Sequence, residues 1–161
     1  MKEILQKISS YNLFNYLFPG IIFTYLLNKY TDYNIVVSNI IIELFIYYFI
    51  GLTISRVGSV IIEPILKKIK FVEFSDYSDF VKASAKDNKI DILSEVNNMY
   101  RSLIAMILVF FIVLGYSGLK RLCDFFTSIE LYLCGILLFI FFLFAYKKQT
   151  KYISKRVKSN I

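Results

Sequence analysis

The chain has 161 residues, 57% of them hydrophobic, 18% aromatic and only 19% charged, with a net charge of +7. An ordinary soluble domain carries about 25% charged and about 45–50% apolar residues, so this balance excludes a typical soluble enzyme domain and points to the bilayer. The absence of histidine removes the commonest general base and metal ligand, and the absence of tryptophan leaves any interfacial aromatic belt to 13 tyrosines.

The first apolar run covers residues 13–27, LFNYLFPGIIFTYLL, broken by Asn15 and the Pro19-Gly20 pair. Lys2 and Lys7 precede it as in a signal peptide, but its exit, Leu27-Asn28-Lys29-Tyr30, has no small-x-small cleavage site. It therefore reads as a retained helix, in which Pro19 can introduce a kink and Gly20 permits close approach of a neighbour. The second run, 35–66, carries only Glu43, Arg56 and Glu63 as charges. The third and fourth runs are 103–119 and 131–146. Four segments cannot close a barrel, and open sheet edges are not tolerated in lipid. The expected fold is therefore all-α, a single membrane domain over 1–161 with four transmembrane helices at about 12–29, 37–58, 102–119 and 129–146.

Orientation follows from lysine and arginine. With the N-terminus inside, residues 1–12, 56–101 and 147–161 are cytoplasmic and hold two, eight and six basic residues. The opposite side keeps only Lys29, Lys120 and Arg121. Sixteen against three is a strong positive-inside asymmetry and places both termini in the cytoplasm.

Residues 67–101 form the longest polar stretch. Lys67, Lys68 and Lys70 open it, and the alternation Phe71-Val72-Glu73-Phe74 suggests a short extended piece. A short helix is expected over 75–83 and a turn at Lys86-Asp87-Asn88-Lys89. Leu93, Val96, Asn97, Tyr100 and Ile104 then recur at helical spacing, so a helix should run unbroken into span three. About 35 residues cannot bury a core of their own, so they must pack on each other across subunits, on the membrane ends or on a partner, for which a cytosolic protein or a signal ligand is the expectation.

Span two carries the most informative pattern. Asn39, Glu43, Tyr47, Gly51, Ser55, Ser59 and Glu63 recur every four residues and so share one slowly drifting helix face. As a packing seam, Gly51, Ser55 and Ser59 form a small-xxx-small motif. As a pore lining, Glu43 would form an outer ring and Glu63 an inner one. Near the inner boundary, Arg56 could pair with Glu63, while Glu95, Asn97, Asn98 and Arg101 cluster where span three begins. That cluster reads either as an interfacial anchor or as a latch in which Arg101 meets Glu63 or Glu95.

The tail holds Lys147, Lys148, Lys151, Lys155, Arg156 and Lys158 with no acid among them. Directly after a span, anionic lipid headgroups are its natural partner, and direct nucleic-acid binding is not expected. Cys123 and Cys134 lack metal-site spacing, and Asp76, Asp79, Asp87 and Asp91 are scattered along a basic loop. No phosphate loop, HExxH, GxSxG or histidine triad can be assembled, so neither cofactor nor enzymatic activity is expected.

The pieces FNYLFPGIIF (14–23), IGLTISRVGSVIIEPILKKIKF (50–71) and EVNNMYRSL (95–103) resemble short bacterial membrane proteins. The overall plan is similar to the small four-helix membrane components of anti-phage systems, such as the Kiwa membrane subunit and the channel part of Hailong effectors. That resemblance implies an oligomeric membrane protein paired with a cytosolic partner. Three functions follow as expectations: a homo-oligomeric pore-forming or membrane-perturbing defence effector, a non-conducting sensor or anchor subunit, and a holin-like lysis protein. The long 67–101 segment argues against the last.

Overall fold

The computed structural model of the protein describes residues 12–121 and 125–159, without the side chains of 125–128. Lys2, Lys7 and Cys123 lie outside these residues. The described residues form helices and connecting segments, with no strand among them. Helix α1 opens with a π-helical turn, Leu13–Leu17, and continues as Phe18–Tyr30. Helix α2, Ile40–Lys68, is α-helical over Ile40–Val57, π-helical over Gly58–Ile62 and α-helical again over Glu63–Lys68. Then come α3 (Tyr77–Ser84), α4 (Lys89–Lys120) and α5 (Phe125–Lys158).

The two π turns share a cause. Pro19 and Pro64, the only prolines in the chain, each stand just after one of them. A proline inside a helix lacks an N–H and pushes against the carbonyl four residues back; widening the preceding turn relieves that crowding without ending the helix. Pro19 therefore produces a π turn within a continuous helix.

Three helices, Ile40–Lys68, Lys89–Lys120 and Ile129–Lys158, are long and apolar enough to cross a membrane. Helix α1 is not among them, because Asn15, Pro19, Gly20, Thr24, Asn28 and Lys29 dilute its apolar content. Asn15, Pro19, Gly20 and Thr24 all point inward, and the Thr24 hydroxyl donates to the Gly20 carbonyl at 2.9 Å. One face of α1 is thus packed on α2 and α4, while Phe14, Phe18, Ile21 and Tyr25 remain exposed on the other.

Lipid is as apolar as leucine, so helices in a bilayer associate by close packing and interhelical hydrogen bonds. Both devices are present. Gly20 and Gly51 face each other at the α1–α2 crossing: a Cβ on Gly20 would overlap the Tyr47 carbonyl, and one on Gly51 would overlap that of Tyr16. Beside the crossing, the Tyr16 and Tyr48 rings meet edge to face, with centroids 5.5 Å apart. Between α2 and α4, the Ser55 and Ser102 hydroxyls are hydrogen-bonded at 2.9 Å. Phe23, Leu27, Ile54, Ile62, Ala105 and Met106 form the apolar core of this three-helix unit.

Helix α5 is attached differently. Only 6% of its apolar window is buried, against 22% for α4. It touches the unit through Phe142, stacked on Phe49 at 6.1 Å, and through the buried Ala145, and it is held at both ends by polar contacts. Its continuation carries the basic tail as helix up to Lys158.

The connections show their own local chemistry. Asn39 caps α2, its side-chain oxygen accepting from the amides of Ile41 and Ile42 at 2.9 and 3.4 Å. Because the helix starts at Ile40, Glu43 sits in its first turn rather than deep in a span, where the N-terminal dipole favours a negative charge. Residues 71–76 are irregular, not extended in a sheet, since no second strand among the described residues pairs with them. The turn at 85–88 and the unbroken α4 stand where periodicity placed them, with the Asp87 side chain accepting from the Lys89 amide at 2.9 Å.

At the end of α2 the Phe71 amide bonds to the Leu66 carbonyl and the Lys70 amide to that of Lys67, a Schellman closure. Its left-handed position is taken by Lys70, at φ 58°, where glycine is the usual occupant. Lys70→Gly should therefore raise stability by about 0.5–1 kcal/mol, the left-handed penalty less the entropy that glycine adds to the unfolded chain. Thermal unfolding in micelles measures it, and a loss of stability would refute the assignment.

Candidate functional site

The most concentrated polar chemistry lies where α2, α4 and α5 converge around Glu63. Its residue is 5% exposed. The carboxylate accepts from Arg101 of α4 at 2.5 Å, from Lys67 one turn on at 2.9 Å, and from Lys148 of α5 at 3.4 Å. The Tyr152 hydroxyl donates to it at 3.4 Å. Lys148 also donates to the Ser59 carbonyl. One carboxylate thus ties three helices together.

Each partner arrives for a local reason. Lys67 is four residues from Glu63, on the same face. Arg101 reaches it because Gly58 leaves room: a Cβ there would stand 3.0 Å from the Arg101 carbonyl and 3.1 Å from its Cγ. Lys148 and Tyr152, four apart on α5, present an ammonium and a hydroxyl to the same point.

The polar segment between α2 and α4 is joined to this cluster. The Lys67 ammonium lies 3.9 Å from the centroid of the Phe74 ring. The Tyr77 ring, at the start of α3, meets that of Tyr152 at 6.2 Å. Val81 and Ser84 of α3 are buried, and the helix lies against α4 and α5. A displacement of α3 would therefore be felt at Tyr152, and through it at Glu63.

The seam residues separate into two groups. Gly51, Ser55, Ser59 and Glu63 are buried inside the chain, facing α1, α4 and α5 in turn as the seam winds. Asn39, Glu43 and Tyr47 lie on the less covered end, where the Tyr47 hydroxyl donates to Glu43. Arg101 meets Glu63, not Glu95. Arg56 pairs with neither Glu63 nor any other acid among the described residues, because it projects toward α5 while Glu63 is enclosed by the other cations. Glu95 likewise has no ion pair among the described residues, and Asn97 is exposed. The Asn98 carbonyl accepts from the Ser102 hydroxyl at 3.0 Å. In the tail, Lys147, Lys151, Lys155, Arg156 and Lys158 are exposed, whereas Lys148 turns inward.

Lys67, Lys148 and Tyr152 are the members of the cluster that sequence reading did not connect with Glu63. The available signals were the four-residue spacing of Lys67 from Glu63 and that of Tyr152 from Lys148, on a helix continuing past the apolar run.

The opposite end of the bundle has its own cluster, with matched charges. Arg121 holds Asp32 through two bonds of 2.9 and 2.7 Å, and this pairing keeps the Asp32 carboxyl below its ordinary range. Lys120 pairs with Glu130 at 2.5 Å, and the Tyr33 hydroxyl donates to the same carboxylate. Burial, then the Glu130 contact, raises the Tyr33 phenol above its usual value, so it stays a donor. Lys29 lies over the rings of Tyr25 and Tyr30.

Among the described residues no group of acids and cysteines is placed to hold a metal ion, and Cys134 is exposed on α5. No protein family, curated protein or solved structure matches this chain.

Proposed function

We propose that the protein is a multi-span inner-membrane anchor or sensor subunit, with four spans, both termini cytoplasmic, and a cytosolic partner docked on 67–101 and the basic tail. One observation carries this reading: the contact chain from α3 through Tyr152 to Glu63, which joins the cytoplasmic segment to the convergence of three spanning helices. The buried seam supports it too, since Gly51, Ser55, Ser59 and Glu63 are consumed by contacts within the chain. Charge balance supports the orientation. The cations at the Asp32–Glu130 end are matched by acids or rings, while those at the Glu63 end exceed the acids, as expected of a cytoplasmic face.

Reconstituted in liposomes, the full chain should show no ion flux above protein-free vesicles. Affinity capture from membranes should return one stoichiometric soluble partner, lost on deletion of residues 72–95. Steady ion flux with no such partner would sink the reading.

A second reading, a homo-oligomeric pore or membrane-perturbing effector, is favoured by the largely uncovered apolar stretch of α5 and by the Glu43–Tyr47 pair on the open end of α2. For this reading the flux result is positive. The anti-phage setting common to both readings rests on the resemblance in 14–23, 50–71 and 95–103.

A further inference from the structure

At the Glu63 end, a small cleft opens between α2 and α5. Arg56 and Ser59 line it from one side and Lys148, Gln149 and Tyr152 from the other, around a free volume of about 10 Å³. That is room for one water-sized group, such as a single oxygen of a larger anion.

The charge around this cleft does not balance. Glu63 is already shared among Lys67, Arg101 and Lys148, and Arg56 adds a fourth cation with no acid in ion-pair reach among the described residues. Four cations around one carboxylate leave a surplus of positive charge in a half-buried place. The cleft also lies near the level where apolar sequence gives way to charge: Lys148 follows the apolar part of α5, Arg101 precedes that of α4, and Arg56 is the first cation along α2, in the last third of its apolar run. In a membrane protein this is the level of lipid phosphates, and the surplus calls for an anion there. The residue types suit phosphate: the guanidinium of Arg56 offers a planar fork, Lys148 a point charge and Gln149 an amide donor. The matched cluster at the Asp32–Glu130 end has no comparable surplus.

We propose that the cleft between α2 and α5 is a binding site for an anionic phosphate group, with Arg56 as its principal ligand and Lys148 and Gln149 beside it. This differs from diffuse attraction of the tail to the membrane, because Lys148 is turned inward and Arg56 is not part of the tail. The inference rests on this end lying at a membrane surface and is independent of whether the protein conducts ions.

Native mass spectrometry of the full chain in micelles, loaded with phosphatidylglycerol or phosphatidylcholine and washed at high salt to screen the tail, tests it. One phosphatidylglycerol per chain should be retained, with about tenfold preference over phosphatidylcholine. Arg56→Gln should abolish that preference, and Arg56→Lys should keep it within about threefold, since the charge stays and the fork is lost. The combined variant Lys151→Gln, Lys155→Gln, Lys158→Gln should change it by less than about twofold. Displacement of the lipid by inorganic phosphate would assign the site to phosphate as such; persistence of the lipid would assign it to the whole headgroup. Equal retention of both lipids by the unmodified chain, unchanged retention in Arg56→Gln, or loss in the tail variant would each overturn the proposal. Arg56 has no ion pair to lose, so Arg56→Gln should unfold at the same temperature as the unmodified chain when no lipid is added.

Discussion

Replacing Glu63 by alanine should destabilise the protein by about 3 kcal/mol, the low end of the cost of removing one partner from a buried charge pair. The low end applies because Lys67 and Lys148 keep some solvent, at 40% and 22% side-chain exposure. The physical origin is less the loss of attraction than what remains behind: Arg101, Lys67 and Lys148 would be crowded together without a counter-charge. The nitrogen Nε of Arg101 is already buried without a partner, so this side chain has little reserve when its carboxylate goes. Lys148→Met removes a cation instead and leaves Glu63 with two cationic partners and the Tyr152 hydroxyl, so it should cost only about 1 kcal/mol. Chemical or thermal unfolding in micelles separates the two. A smaller loss for Glu63→Ala than for Lys148→Met would show that the carboxylate is not the centre of the cluster. Because α5 has so few other holds on the bundle, Glu63→Ala should also raise protease cleavage or labelling near 147–152.

Gly51→Ala should destabilise by about 3 kcal/mol, at the upper end of the range for overpacking. The added methyl group would meet a backbone carbonyl, that of Tyr16, which cannot rotate away as a flexible side chain would. Relief requires α1 and α2 to separate, and that opens the packing of Phe23 and Ile54 behind the crossing. Gly20→Ala breaks the same contact from the other side, so the double variant should cost clearly less than the two single losses added together. Gly135→Ala is the control. Nothing stands within 4 Å of a Cβ there, and alanine is the better helix former, so stability should hold or rise by up to about 1 kcal/mol. Equal losses at Gly51 and Gly135 would refute the crossing.

Periodicity and composition carried much of the architecture. The unbroken run from the polar segment into α4 follows from Leu93, Val96, Tyr100 and Ile104, because a spacing of three to four residues has only one regular backbone that satisfies it. The short helix near 77–84 was legible from its acidic start. The irregular stretch at 71–76 was not: alternation of apolar residues describes a strand only when a partner strand exists, and none does among the described residues.

The spacing of the seam showed that Gly51, Ser55, Ser59 and Glu63 share a face of α2, and the basic count showed that the chain is asymmetric in charge. Neither observation says what a face meets. That depends on how helices distant in sequence are brought together, and it is the packing of α1, α4 and α5 that turns Gly51 toward Tyr16, Ser55 toward Ser102 and Glu63 toward Arg101 and Lys148. The same packing draws Lys148 out of an otherwise exposed basic tail and leaves Arg56 without an acid. A one-dimensional pattern records which residues lie on one side of a helix. The partners across the interface are set by contacts between residues tens of positions apart, which only the assembled bundle specifies.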